Sequence, residues 1–216
     1  MRMNKIIIFG AGYPIILQLI HDINRSARKK KFEIAGFCSD VERQWGTDYF
    51  GYPILGALEN LDLKNVDFII NNVGSSTRAR KSIDARIHQL KDHIPSLIHP
   101  TVESMYSKIS PEGCVLSKDV FIGAGSEIGD SCCLRNTVFV GNENIIGNHV
   151  FISDQSVLLG YVKLEDLVYI GAHVTVLPRL VIKEGCLLGA GAVVTKDTEA
   201  KKVYVGNPAR FLKELP

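Results

Sequence analysis

From Leu116 to Val194 an aliphatic residue returns every six positions: Leu116, Ile122, Ile128, Leu134, Val140, Ile146, Ile152, Leu158, Leu164, Ile170, Val176, Ile182, Leu188 and Val194. No insertion breaks the frame. With roughly a quarter to a third of an ordinary chain aliphatic, such a run by chance is on the order of one in ten million. Four positions after each aliphatic stands a residue that is mostly small or β-branched, from Val120, Ser126 and Cys132 to Cys186, Ala192 and Thr198. A period of six fits neither a helix nor a simple strand. It is the signature of a parallel β-helix, in which three hexads make one triangular coil and both rows point into the prism. One coil cannot bury its own apolar row, so neighbours must stack. Gly123, Gly129, Gly141, Gly147, Gly171 and Gly189 directly follow the aliphatic, and are expected at corners where the backbone turns sharply.

The first hundred residues read differently. Lys5–Phe9 (KIIIF) predicts a buried strand, Gly10-Ala11-Gly12-Tyr13-Pro14 a turn, and the following stretch to about Ala27 a helix with Pro14 near its first turn. Further strands are predicted at Glu33–Phe37, Tyr52–Gly56, Asp67–Val73 and Ser96–Ile98, and a helix at Ser75–Asp92 capped by Ser75 or Ser76. Strands alternating with helices imply a parallel α/β sheet. The expected organisation is therefore a small Rossmann-like domain over residues 1–97, followed by a β-helix domain with a C-terminal tail over residues 98–216.

Composition narrows the functional classes. A net charge of +2 over 216 residues argues against a nucleic-acid surface, and the densest basic run, Arg28-Lys29-Lys30-Lys31, reads as the solvated end of a helix. The opening MRMNKIIIFGAGYPIILQLI mimics a signal peptide, but Gly10, Gly12 and Pro14 interrupt its apolar run and no A-x-A site follows. It is also too short and broken for a membrane span. Five cysteines without paired spacing suggest thiols in a reducing cytoplasm, with Cys132 and Cys186 on inward repeat positions. No Cys/His cluster has metal-ligand spacing, so no metal is expected.

The GAGY turn is a shortened phosphate-binding loop: glycine lets the backbone approach an anion, and a helix N-terminus favours negative charge. The third glycine of the full motif is replaced by Ile15, so a plain strand–helix turn is the competing reading. Asp40, just past the second strand, occupies the place where such folds bind a ribose or base, or is an ordinary loop carboxylate.

The order of parts then matters more than any one motif. A Rossmann-like domain precedes Ile98-His99-Pro100-Thr101 and a hexapeptide region that ends in Val205-Gly206-Asn207-Pro208-Ala209-Arg210. With Tyr52-Pro53-Ile54-Leu55-Gly56, and Asn72-Val73-Gly74 followed by Arg78, the chain resembles the NeuD/PglD-type sugar O-/N-acyltransferases over nearly its whole length. The resemblance implies a left-handed β-helix and acyl transfer from acetyl-CoA or another acyl-CoA to a sugar, often a nucleotide-linked 4-amino sugar for bacterial surface glycans. It implies a cytoplasmic homotrimer with active sites between neighbouring β-helices. By the match, Gly10, Gly12, Tyr13, Ser39 and Asp40 would line the nucleotide pocket. Gly160, Gly171, Gly189 and Ala190 would present backbone to the acyl-pantetheine arm, and Lys196 and Arg210 lie where basic side chains meet CoA phosphates.

One position departs from the family. Its catalytic pair is a histidine followed by an acid, and the matching residues here are Asn142 and Glu143. An amide can orient but cannot accept a proton. Asn142 and Gly160 are eighteen residues apart, one coil, and should stack at roughly ~4.8 Å. Three explanations stay open: an amine nucleophile oriented by Asn142 without a strong base, Glu143 as base, or a catalytically inactive nucleotide-sugar-binding homologue. Sugar O-acylation of the sialic-acid type is the runner-up activity. His149 and His173 fall on outward positions, as surface or interface residues or as a base supplied by a neighbouring subunit, and His99 is expected to be structural.

Overall fold

The computed structural model describes residues 2–27, 31–74 and 76–215. The basic run at 28–30 and the cap at Ser75 lie outside the described residues. Two compact units result, one of Met1–Ser75 with Ala79–Pro95, the other of Ser76–Arg78 with Ser96–Pro216.

In the first unit Asn4–Phe9 is the centre of a three-stranded parallel sheet, flanked by Phe32–Cys38 and Phe68–Asn71. Ile6, Ile7 and Ile8 are all buried, as a strand covered on both faces requires. The helix Ile15–Ser26 begins at Pro14, whose φ of −67° is already helical. Its buried residues Ile16, Leu19, Ile20 and Ile23 follow the three-to-four spacing of an amphipathic helix. Tyr52–Pro53 forms a small antiparallel hairpin with Asp48–Tyr49. Leu97–Ile98, expected from its position to extend the α/β sheet, instead pairs with Val115–Leu116 and opens the second unit. The helix Thr77–His88 ends short of the expected Asp92.

The second unit is the β-helix. Its pairs join residues eighteen apart, such as Cys133 with Phe151 and Phe151 with Tyr169. Three parallel ladders result. The first face runs from Leu97–Ile98 to Leu187–Leu188 and ends in the strands Lys202–Val205 and Arg210–Glu214. The second runs from Phe121–Ile122 to Val193–Val194, and the third from Lys108–Ile109 to Val181–Ile182. The aliphatic row from Leu116 to Val194 is at most 4% exposed throughout. Of the row four positions later, all are buried but the half-buried Leu180. At about 1.5–3 kcal/mol per buried aliphatic side chain, this double row is the main source of cohesion in the solenoid.

The glycines after the aliphatic fall at the corners, as expected, but the sharp turn itself is made by other residues. The glycines after the aliphatic do not adopt left-handed dihedrals; that conformation falls two residues later, on Asp119, Ser131, Thr137, Glu143, His149, Gln155, Tyr161, Leu167, His173 and Arg179, with φ between 53° and 65°. A left-handed non-glycine residue costs about 1–2 kcal/mol. Each is offset by an N–H donated to the preceding coil, as from Glu143 to Ala124 O at 2.9 Å. The glycines serve close stacking instead. A Cβ on Gly171 would lie 2.6 Å from Ala190 N, and one on Gly141 2.9 Å from Leu159 C.

Candidate active site

Corners stack into three edges. The first edge follows the first face and carries Gly171, His173, Gly189 and Ala190. The second follows the second face and carries Asn142 and Glu143, Gly160 and Tyr161, Pro178 and Arg179, and Lys196. The third carries Asp130, Asn148, Asp166 and Glu184. Hydrogen bonds between coils fix these columns: Tyr161 N donates to Asn142 O at 2.9 Å, Arg179 N to Gly160 O at 3.1 Å, and Gly191 N to Ala172 O at 2.8 Å.

On the third edge, side chains of the edge itself cap three of the four corner N–H groups. Asp130 N donates to Asn148 Oδ1 at 2.8 Å, Asn148 N to Asp166 Oδ1 at 2.7 Å, and Glu184 N to Glu165 Oε2 at 3.1 Å. On the second edge the corresponding N–H groups of Ala124, Asn142, Gly160 and Lys196 meet no protein acceptor among the described residues. Those of Ala172 and Ala190 on the first edge are likewise open. Among the described residues, two edges therefore present rows of open backbone donors, whereas on the third Asp130, Asn148 and Glu184 are capped and the Asp166 N–H alone of these is open.

Asn142 and Gly160 are neighbours as the repeat predicts: a Cβ on Gly160 would approach Asn142 O at 3.5 Å and nothing closer. The Asn142 side chain reaches back over the preceding coil, where a Cβ on Gly123 would collide with its Oδ1. Glu143 does the same over Gly125, whose Cβ would be 2.5 Å from Glu143 Cδ. Gly123 and Gly125 thus clear a shelf for the two side chains. Asn148 and Asp166 lie over Gly129 and Gly147 in the same manner and cap a backbone N–H. Asn142 is exposed, and its amide makes no hydrogen bond among the described residues, so its donors and acceptor remain available.

Tyr161 and Arg179 were not singled out by motif, although their eighteen-residue spacing from Glu143 places them on this edge. The Arg179 guanidinium lies 4.6 Å from the Tyr161 ring centroid. Gly171, Gly189 and Ala190 sit on a different edge from Asn142 and Gly160 of the same chain. His173 shares their edge, and His149 lies on the third. Lys196 and Arg210 are exposed toward the C-terminal end of the prism.

In the α/β unit, Asn72 Nδ2 holds the GAGY turn by donating to Gly10 O and Tyr13 O, both at 3.0 Å. Gly10 has φ 95°, a conformation that favours glycine. The N–H groups of Ala11, Gly12 and Tyr13 meet no protein acceptor among the described residues, and a Cβ on Gly12 would meet nothing within 4 Å. Ser39 is buried, its hydroxyl donating to Gln44 Oε1 at 2.7 Å and accepting from Val41 N at 3.1 Å. Asp40 receives two bonds from Arg86, at 2.6 and 2.9 Å, and the same guanidinium binds Glu59 at 2.7 and 2.9 Å. The Arg86 hydrogen bonds hold both carboxyls below their ordinary values and raise the guanidinium. No local sequence signal marks Arg86, since its partners are 46 and 27 residues away.

All five cysteines are buried thiols. Burial pushes Cys38 up to about 12 and Cys186 up to about 11, which makes both poor nucleophiles. Among the described residues, no group of three or more His, Cys, Asp or Glu is placed to hold a metal ion.

No family model matches the chain. It is similar to the acetyltransferase domain of PglB from Neisseria gonorrhoeae, with 26% identity and a TM-score of 0.84 over 97% of this chain and 100% of that one. It is also similar to a histidine-to-asparagine mutant of perosamine N-acetyltransferase from Caulobacter crescentus, solved in complex with CoA and GDP-perosamine. There the identity is 20% and the TM-score 0.85, over 99% of each chain. The fold is that of the left-handed β-helix sugar acetyltransferases. In sequence, the chain is 34% identical over 134 residues to gamma carbonic anhydrase 1 of Arabidopsis thaliana mitochondria, across 50% of this chain and 48% of that protein. The chain spans about half, or less, of the length of the curated relatives it matches.

Proposed function

We propose that the protein is an acyl-CoA-dependent N-acyltransferase acting on a nucleotide-linked amino sugar. The observation that carries this reading is the second edge of the β-helix. An exposed Asn142 with an unengaged amide stands one coil from the open N–H of Gly160, in a fold shared end to end with a perosamine N-acetyltransferase.

Each residue then has a task. The Gly160 N–H polarises the thioester carbonyl and stabilises the charge that grows on its oxygen. Asn142 orients the acceptor amine through its side chain. The amine, bound neutral, adds its lone pair to the thioester carbon, and the C–S bond breaks. The amine's proton ends on the departing thiolate, giving an amide and CoA thiol. Asn142 cannot take that proton. A neutral amine is nucleophilic without a base, whereas a sugar hydroxyl is not, so the asparagine favours N-acylation over O-acylation. Glu143, on the same shelf, is the nearest carboxylate to the reacting groups and the alternative proton acceptor.

In the proposed division of labour the α/β unit holds the nucleotide, with the open N–H groups of the GAGY turn toward phosphate and Asp40 toward ribose or base. The β-helix holds the acyl-CoA. Lys196 is two coils from Gly160, and Arg210 lies beyond it; at ~4.8 Å per coil this suits the phosphates at the far end of an extended pantetheine arm. Because Gly171, Gly189 and Ala190 lie on the other open edge, they join the site through a neighbouring copy, which makes the working unit a cyclic trimer. No described helix is long and apolar enough to cross a membrane, and a cytoplasmic enzyme is proposed.

The test is release of CoA thiol from acetyl-CoA with a panel of GDP-, UDP- and dTDP-linked amino sugars, beside free sialic acid. Turnover with an amino sugar supports the reading, and turnover with sialic acid alone replaces it by O-acylation. No turnover with any acceptor, together with a melting temperature still raised by a nucleotide sugar, would leave a binding protein and sink the enzymatic reading.

A further inference from the structure

Beneath the corner that carries Asn142, the inward row changes character. Asn144 occupies an inward position, is fully buried, and is the bulkiest polar residue in that row. Its Nδ2 donates to Gly141 O at 2.6 Å, and its Oδ1 accepts from Val162 N at 2.7 Å. Ser126, one coil earlier and equally buried, donates to the same Gly141 O at 2.8 Å and accepts from Asn144 N at 3.0 Å. Gly141 O therefore receives two side-chain donors from inside the prism. The comparable serine at 156 gives Gly171 O one, at 2.8 Å, while accepting from Val174 N at 3.1 Å.

A trans peptide sets its N–H opposite its carbonyl. With the Gly141 carbonyl pinned inward, the N–H of the same peptide, that of Asn142, must face outward, where it meets no protein acceptor among the described residues. Two donors on a carbonyl also polarise the amide and strengthen its N–H as a donor. Asn144 further ties this coil to Val162, two residues past Gly160. One buried amide thus braces both coils that supply the open N–H groups of Asn142 and Gly160.

We propose that Asn144, assisted by Ser126, is a positioning residue that aims the Asn142 backbone N–H at the acyl carbonyl oxygen as a second donor beside Gly160. This rests on the acyltransferase reading above. It places the reactive contribution of residue 142 partly in its backbone, where the identity of the side chain does not matter.

Asn144→Ser is the informative variant. By the pattern of Ser126 and Ser156, a serine hydroxyl there still accepts from the N–H eighteen residues on, but no longer holds Gly141 O. The expected result is a melting temperature close to wild type and a KM for acetyl-CoA within about twofold. kcat should fall about tenfold, less than the hundredfold or more that loss of a whole oxyanion donor costs. Ser126→Ala should move kcat in the same direction. Hydrogen exchange by mass spectrometry should show faster exchange in peptides spanning 141–146 of Asn144→Ser. Asn144→Val, which leaves the Val162 N–H buried without an acceptor, should lower the melting temperature, and so marks what a merely structural effect looks like. An active wild type with an unchanged kcat in Asn144→Ser overturns this role alone. A wild type that releases no CoA thiol with any acceptor overturns the proposed function and this role together.

Discussion

Replacing Asn142 separates orientation by an amide from proton transfer by an imidazole. The side chain is exposed and makes no hydrogen bond among the described residues, so substitutions there should change stability by no more than ~0.5 kcal/mol. Activity can then be read without correcting for unfolding. If the amide donates or accepts one bond to the acceptor amine, Asn142→Ala should lower kcat/KM roughly tenfold, the equivalent of about 1.4 kcal/mol. Asn142→His introduces a group that can accept the proton. General-base help is worth about 10²–10⁴-fold when the base is in place. The imidazole must extend outward, because the space over Gly123 is filled by the smaller amide. Activity on an amino-sugar acceptor should therefore be retained or raised, with a pH–rate profile that gains a limb near the ordinary histidine value of about 6.5. Glu143→Gln provides the control: a loss of ~10²-fold or more assigns the proton to Glu143. Steady-state kinetics of CoA release is the assay. Equal rates for wild type and Asn142→Ala on the best acceptor would refute the reasoning and reduce Asn142 to an exposed turn residue.

Other expectations follow from the same geometry. Gly171→Ala sets a Cβ 2.6 Å from Ala190 N and should cost about 1–3 kcal/mol in urea unfolding. Gly12→Ala has open space and should leave stability within ~0.5 kcal/mol while weakening nucleotide-sugar binding by calorimetry; the reverse pattern would remove Gly12 from the pocket. Because Arg86 lowers the carboxyls of Asp40 and Glu59, their contribution is complete above the unfolded value of about 4 and is lost as pH falls through the lower folded values. Arg86→Met should lower stability at neutral pH by about 1 kcal/mol, given the exposure of the cluster, and flatten that acid limb in a melting series from pH 7 to 2. Asp40→Ala should weaken nucleotide-sugar binding with little change in CoA affinity, as measured by calorimetry. Sedimentation at micromolar concentration should give a trimer, and a clean monomer would remove the shared site.

Much of the fold was legible because the period of six carries its own error check. A slip by one residue would turn the aliphatic row outward, and the structure buries that row throughout. The glycines fall at the corners as their spacing implies, but what they do there was not legible, for a physical reason. Sequence marks glycine without saying which of its two freedoms is in use. At 141, 147 and 171 it is the missing Cβ that matters, since the next coil lies within 3 Å of where one would stand. The left-handed turn falls on residues such as Glu143, Tyr161 and Arg179, whose strain is offset by a bond to the coil before. Leu97–Ile98 was assigned by position in the chain, yet a two-residue strand joins whichever ladder offers matching register, and that ladder begins at Val115–Leu116.

The site was legible modulo eighteen. That arithmetic placed Asn142 beside Gly160, and would have placed Tyr161 and Arg179 there too. It also implies that Gly171 and Ala190 belong to another edge, a consequence that motif matching obscures. What the arithmetic cannot supply is which edges carry open donors. That depends on single side chains: Asn148 and Asp166 cap the third edge, whereas Asn142, the same residue type in the same place of its hexad, caps nothing. A chain that had merely lost a catalytic histidine would be free to let asparagine settle into the capping role that Asn148 has on the third edge. The buried pair Ser126 and Asn144 argues the other way. They place two polar groups of a mostly apolar inward row directly beneath this corner, where Ser156 and Thr198 stand singly. A buried hydrogen-bonded network gives little net stability and fixes geometry, so it is most readily understood where geometry matters. The corner at 141–143 is held more firmly than stacking alone requires.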